Sequence, residues 1–213
     1  MGQAMTSLAR FSARRESGVT LIEALATFVI LSVGLLGIVS LQGIAKSAQH
    51  QGIQRTKAVI LANDLVERIR INPGGVLTYS AGGMDTSLGG ATLSAPATDC
   101  AAVSCTAAQL AAYDLWLWEQ SLDGATVTVT DADSTVRNTA GLIAPRACVR
   151  FAADTGMTRT GVVDVIIQWR GLGEIDDAVT ADLDICGGGT DGGEDDFRRQ
   201  LIVSTFVIDE AEL

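Results

Sequence analysis

The stretch SGVTLIEALATFVILSVGLLGIVSLQG, residues 17–43, decides how the chain is read. Val19 to Leu41 is 23 residues with a single charge, Glu23. At about 1.5 Å per residue a helix of that length reaches roughly 35 Å, enough to cross a bilayer. Arg10, Arg14 and Arg15 precede it, and the next basic residue, Lys46, lies beyond its far end. The positive-inside rule then keeps the N-terminus in the cytoplasm and exports everything after about residue 45. Glu23 is the anomaly, since a carboxylate inside a membrane segment costs roughly 2.5–3.5 kcal/mol on insertion scales.

A secretory signal cut before Ala48, with Ala45 and Ser47 at −3 and −1, is the first alternative. Two features oppose it. The apolar run is longer than the 7–15 residues usual for such signals. Helical periodicity also continues through the supposed cut: Ala58, Leu61, Leu65 and Ile69, flanked by Ala62 and Val66, form one apolar stripe. The spacing predicts one helix from Val19 to Arg70, stopped by Asn72-Pro73-Gly74-Gly75. Its first half suits a membrane or a fibre core, and its second half needs a domain to cover the stripe.

The order of a basic leader, Gly18, Val19 and Glu23, followed by a retained apolar run, resembles the class III signal of type IV prepilins. That resemblance implies cleavage between Gly18 and Val19 by prepilin peptidase and N-methylation of the new amine at Val19. Val19 stands where Phe or Met is commoner, and Ser40 lies near the place of a mid-helix proline in many pilins. The resemblance also gives Glu23 a role: its carboxylate neutralises a buried Val19 amine of a neighbouring subunit, because pairing offsets the cost of burying either charge alone. The plain alternative leaves Glu23 serving the helix dipole near the headgroups. The implied organisation is a leader at 1–18, a transmembrane helix half at 19–45 and a periplasmic α+β domain at 46–213.

Within that domain, 73–104 is rich in Gly, Ala, Ser and Thr and reads as an irregular loop. Thr106 to Gln109 has the spacing of a capping box, with Ala111, Leu115, Trp118 and Leu122 on one helical face and Gly124 as the stop. Trp116 and Trp118 read as packing residues. Period-two alternation marks four strands: Ala125–Thr130, Arg146–Ala152, Gly161–Arg170 and Gln200–Asp209. Without a long crossover helix they make one antiparallel sheet, packed on the second half of the first helix. This layout resembles the pilus-modification, PilV-type, minor pilins.

Cys100, Cys105, Cys148 and Cys186 have no C-x-x-C spacing, and the one histidine, His50, is far from them in sequence. An even number of cysteines in an exported chain points to two disulfides, with three connectivities open. We favour a short Cys100–Cys105 loop and a longer Cys148–Cys186 staple. Nine acids and no base lie between Gly171 and Asp196, and Asp191, Glu194, Asp195 and Asp196 are potential calcium ligands. Their spacing matches no EF-hand, and a solvated acidic loop is the expectation; no metal or cofactor is expected.

Formal net charge is −10, with no basic patch of the kind nucleic-acid binding requires, so no nucleic-acid partner is expected. There is no G-x-S-x-G and no P-loop, His50 is expected to be exposed, and the chain is read as a non-enzyme with no catalytic residues. The resemblance implies a minor pilin that helps initiate pilus assembly and enters the fibre near its tip, with twitching motility and adhesion as downstream roles. Its implied partners are other minor pilins and the major pilin, met through the N-terminal helix, together with prepilin peptidase and the inner-membrane assembly platform. A minor pseudopilin of type II secretion, or a tip adhesin or DNA-uptake module, is the alternative.

Overall fold

The computed structural model describes residues 18–174, 186–187 and 197–213. The chain divides into a unit ending at Lys46 and a unit Ser47–Leu213. Helix α1, Leu21–Ile71, contributes to both and stays α-helical through Gly34, Gly37 and Gly43.

In the first unit every large apolar side chain from Val19 to Ile44 is more than half exposed, the least being Ile38 at 52%. Thr27 and Ser32 donate their hydroxyls to the carbonyls of Ala24 and Phe28, at 2.7 Å each. These two hydroxyls are therefore satisfied within their own helix, which removes most of their cost in an apolar medium.

In the second unit α1 is amphipathic, and Ala58, Ala62, Leu65, Val66 and Ile69 are buried. Ile71 precedes Asn72-Pro73, where helical backbone is disfavoured, and the helix stops there. The sequence suggested loop from residue 73, but Pro73–Gly75 forms a 3₁₀ turn and Val76–Tyr79 a single α turn, α2. Val76 and Tyr79 are buried, and burying two such side chains orders a turn that composition alone assigns to loop. Gly75 allows the close crossing with the next helix. A Cβ there would lie 2.7 Å from the Ala107 carbonyl oxygen and 2.9 Å from the Ala111 Cβ.

Helix α3, Ala107–Asp123, carries the full capping box: Thr106 and Gln109 satisfy each other's orphan N–H groups. Gly124 closes it in the left-handed conformation at φ 70°. Its face of Ala111, Leu115, Trp118 and Leu122 is buried, and the Trp118 indole donates to the Leu61 carbonyl of α1 at 2.8 Å. Trp116 is half-buried, its ring 5.9 Å from that of Tyr113.

The sheet differs from the expected four-stranded one. β3 (Arg146–Ala153), β4 (Gly161–Arg170) and β5 (Arg198–Val207) form an antiparallel sheet in the order β3-β4-β5. β1 (Thr128–Thr130) pairs instead with an unanticipated β2 (Val136–Asn138) as a separate two-stranded ribbon. All six ribbon residues are exposed, so Val–Thr alternation there selects no buried face, and nothing draws β1 into the main sheet. β1 also starts three residues late, because the backbone turns past the α3 cap through Ala125 N–H to Gln120 C=O, 2.8 Å.

On β4, Val163, Val165, Ile167 and Trp169 face the core with β3's Ala147 and Val149 and β5's Val207. The register places Val149, Val165 and Val203 in one row across the sheet. On the reverse face Ile166 is buried with Cys148 and Cys186 in a smaller cluster. Disulfides join Cys100 to Cys105 and Cys148 to Cys186. In the chain-entropy view, a loop with a sequence separation of 38 is worth about 3–4 kcal/mol. β5 ends at Val207 because Asp209 turns inward: its N–H donates to Thr160 Oγ1 at 3.0 Å, and its carboxylate caps the final 3₁₀ turn, Glu210–Glu212. His50, expected to be exposed, is half-buried. The candidate calcium ligands Asp191, Glu194, Asp195 and Asp196 lie outside the described residues.

Candidate functional site

The residues that the sequence singles out, Gly18, Val19 and Glu23, stand at the start of α1. Gly18, Val19 and Thr20 precede the helix and are exposed, Val19 at 72%. Thr20 occupies the position of an N-cap: its hydroxyl oxygen faces the Glu23 N–H at 3.4 Å, and its carbonyl accepts from the Ala24 N–H at 3.1 Å. Thr20-Leu21-Ile22-Glu23 has capping-box spacing, a signal present in the sequence but masked there by the prepilin reading of Glu23. Glu23 lies in the first turn of the helix, four residues after Val19. Glu23 is exposed, in the first turn, where a carboxylate suits the helix dipole.

Two functions are thus available to one carboxylate. Within its own chain it can complete the helix start, and across a helix–helix contact it can meet a cationic amine. The second use requires the chain to end at Val19. Glu23 is the one acid in the apolar run, so an amine buried against this helix has a single place to be neutralised.

Nothing on the run itself covers it. Leu21, Ile22, Leu25, Phe28 and Ile30 are exposed around the helix, and the run is long and apolar enough to cross a membrane. In the second unit, by contrast, polar contacts hold α1 at both ends of its stripe. Lys57 Nζ donates to the Ala140 carbonyl at 2.8 Å, and the Ile143 N–H to Gln54 Oε1 at 3.2 Å. Further along, Arg68 reaches Asp114 at 2.9 Å, and Asp114 accepts the Tyr79 hydroxyl at 2.5 Å. Burial and this hydrogen bond raise the Tyr79 hydroxyl's pKa above its ordinary value. The half of the helix that bears Glu23 is bare, while the other half is locked into a domain.

The prokaryotic N-terminal methylation motif matches residues 13–39, which include Gly18, Val19 and Glu23. A model described as type IV pilin Tt1218 matches residues 40–116, from the end of the apolar run into α3. The chain is type IV pilin-like. The two matches adjoin within α1 and together take in the bare half of that helix, its embedded half and the α3 capping box. No curated protein and no solved structure gave a match to this chain.

Carboxylates that the sequence did not single out do structural work in the pilin-like domain. Glu119 is fully buried and accepts the N–H groups of Gly89, Thr92 and Leu93 at 2.8, 2.9 and 2.8 Å, together with the Thr92 hydroxyl. One turn on, Asp123 accepts from Gly90 and Ala91 at 2.7 Å each. Gly89, Gly90 and Ala91 all have positive φ, so consecutive N–H groups converge as an anion cradle filled by the chain's own acids. Burial would raise the Glu119 pKa, but the Thr92 hydroxyl and the three N–H donors outweigh it and hold the carboxyl below its usual range. No sequence motif marks this arrangement, since its donors are backbone groups of a Gly-rich loop.

Proposed function

We propose that this chain is a minor pilin of the PilV type: a structural subunit that helps initiate type IV pilus assembly and enters the fibre near its tip. The observation that carries the proposal is Glu23, a lone carboxylate four residues after Val19 in an exposed apolar helix whose continuation is built into a folded domain. In this reading the leader 1–18 is removed by prepilin peptidase, Val19 becomes the N-methylated terminus, and the chain sits once through the inner membrane with the domain from residue 46 in the periplasm. The inner-membrane assembly platform then moves the apolar helix into a bundle of other pilins, minor and major. There the Val19 amine and Glu23 of adjoining subunits neutralise each other and set the axial register. The chain acts by assembly, with no catalytic residue.

Intact mass and N-terminal sequencing of the mature protein test the processing. A start at Val19, with a methyl-sized increment, supports the proposal, and a start at Ala48 ends it. Deleting the gene tests the assembly role: loss of surface pili supports a minor pilin, and blocked protein secretion with pili intact assigns the chain to a secretion pseudopilus instead.

A further inference from the structure

β5 is the last strand of the main sheet, and its outer edge lacks the features that normally protect one. The Gly171 N–H donates to the Phe197 carbonyl at 2.7 Å, one step beyond the Arg170–Arg198 pair of the β4–β5 register. The Arg170 N–H turns the other way, to the Ile143 carbonyl at 2.8 Å. Antiparallel hydrogen bonds alternate, so the odd-numbered residues of β5 bond β4, while Ile202, Ser204 and Phe206 turn their N–H and C=O groups outward. Among the described residues no backbone group meets these three on that side. Gln200 to Ile208 holds no charge, proline or glycine, although protein edges are usually blunted by lysine, proline or a bulge. Ile202 and Phe206 are 43% and 50% exposed, and Val162 of β4, also exposed, lies beside Phe206 in the register.

The sequence on this edge specifies its partner. The opposite edge of the sheet is closed to it, because Ala147 of β3 exchanges both backbone hydrogen bonds with Leu88, at 2.7 and 2.9 Å. Head-to-tail stacking of sheets is thereby blocked, and a closed two-fold pair remains. The stretches 175–185 and 188–196 are rich in Asp and Gly, which are disfavoured in strands, so they make poor partners for β5. A second β5 makes a good one. With a two-fold axis at Ser204, Ile202 stands opposite the partner's Phe206 and Gln200 opposite the partner's Ile208. Of the registers centred between Ile202 and Phe206, only this one opposes both of those side chains with an apolar residue. It also sets Glu210, in the closing turn, toward the partner's Arg198, so opposite charges meet at both ends of the pairing.

We propose that two copies of this chain pair antiparallel through β5, joining their three-stranded sheets into one six-stranded sheet with a two-fold axis at Ser204. The inference goes beyond the pilin reading and does not depend on it.

The test uses the full chain in an uncharged detergent. All four native cysteines are in disulfides, so an added thiol is a clean reporter. Directly opposed antiparallel residues have Cα atoms about 4.5–5.5 Å apart, within disulfide reach, whereas an offset of four residues is about 13 Å. Under mild oxidation Ser204→Cys should cross-link to itself. Ile202→Cys and Phe206→Cys should not, yet an equimolar mixture of those two should. Amide exchange gives a second readout: Ile202, Ser204 and Phe206 should gain protection as protein concentration rises, while Val203 and Thr205 are protected throughout. Ile202→Lys should weaken association about tenfold or more and cancel the concentration-dependent protection. Ile202 is exposed, so near-ultraviolet circular dichroism should stay native in that variant. A monomer at every concentration overturns the proposal. So does association through the apolar run, which gives neither the cross-linking pattern nor the alternating protection. Equal cross-linking of the three single variants overturns the register. Protection of Ile202, Ser204 and Phe206 that ignores concentration assigns the edge to the chain's own segment and overturns the pairing. None of these outcomes bears on cleavage after Gly18 or on entry into fibres.

Discussion

Replacing the buried Glu119 of α3 with Ala should loosen the 89–93 loop that its carboxylate holds, although the residue touches no part of the apolar run. Its carboxylate is the acceptor for three backbone N–H groups and one hydroxyl, and its burial is complete. Each buried donor left without a partner costs about 1–3 kcal/mol. Thr92 is exposed and Gly89 and Leu93 are half-buried, so water recovers part of that loss. The expected cost is about 3 kcal/mol, which for a chain of this size lowers the melting midpoint by roughly 6–12 °C. The change is read by near-ultraviolet circular dichroism on the full chain in detergent, with amide hydrogen exchange on the same sample. Exchange at Gly89, Thr92 and Leu93 should accelerate selectively, while the β4 amides keep their protection. A loss below about 1 kcal/mol, with the Leu93 amide still protected, would refute the idea that the carboxylate organises the loop.

Three other outcomes are expected. Ala91 sits at φ 57° with its side chain exposed, so Ala91→Gly should raise stability by about 0.5–1 kcal/mol in a denaturant titration, whereas a substitution at Gly90 should lower it. Glu23→Ala should leave membrane insertion and cleavage after Gly18 intact yet remove the protein from sheared surface fibres, as fractionation and immunoblotting would show; wild-type amounts in fibres would sink the ion-pair account. Glu119 and Asp164 both have lowered pKa values in the fold. For Asp164, desolvation opposes the shift and the Ser204 hydroxyl and Arg150 overcome it. A carboxyl depressed in the folded state stabilises above its unfolded pKa, near 4, so urea midpoints should hold from neutral pH to about 5 and fall as pH drops below 4.

Where one interaction decides a boundary, the sequence was a sufficient guide. The α3 start followed from Thr106 and Gln109, its end from Gly124, and β4 from a ten-residue alternation bounded by Gly161 and Arg170. The apolar run and its acid at Glu23 were equally plain, because membrane-length hydrophobicity needs no tertiary partner. Misreadings arose where long-range packing overrides local pattern. Val76 and Tyr79 order a turn in a stretch that composition assigns to loop, and the ribbon forms because Val136–Asn138 finds β1 across a short turn. The cradle at Gly89–Leu93 was illegible for another reason: its donors are backbone N–H groups of a loop, and its acceptors, Glu119 and Asp123, lie on a helix about 30 residues further along the chain.

The two-stranded ribbon has a practical use. Its turn, Asp131 to Thr135, is closed by its own backbone hydrogen bonds, Asp131 N–H to Thr135 C=O at 2.9 Å and Ser134 N–H to Asp131 C=O at 3.0 Å. Every residue from Ala132 to Asn138 is exposed, and no member of the hydrophobic core is among them. A short epitope spliced between Ala132 and Ser134 would lengthen an outlying hairpin without disturbing the packed layers. Gold-labelled antibody against that epitope would then test, in electron micrographs of intact cells, whether this chain enters surface filaments and where along them it lies.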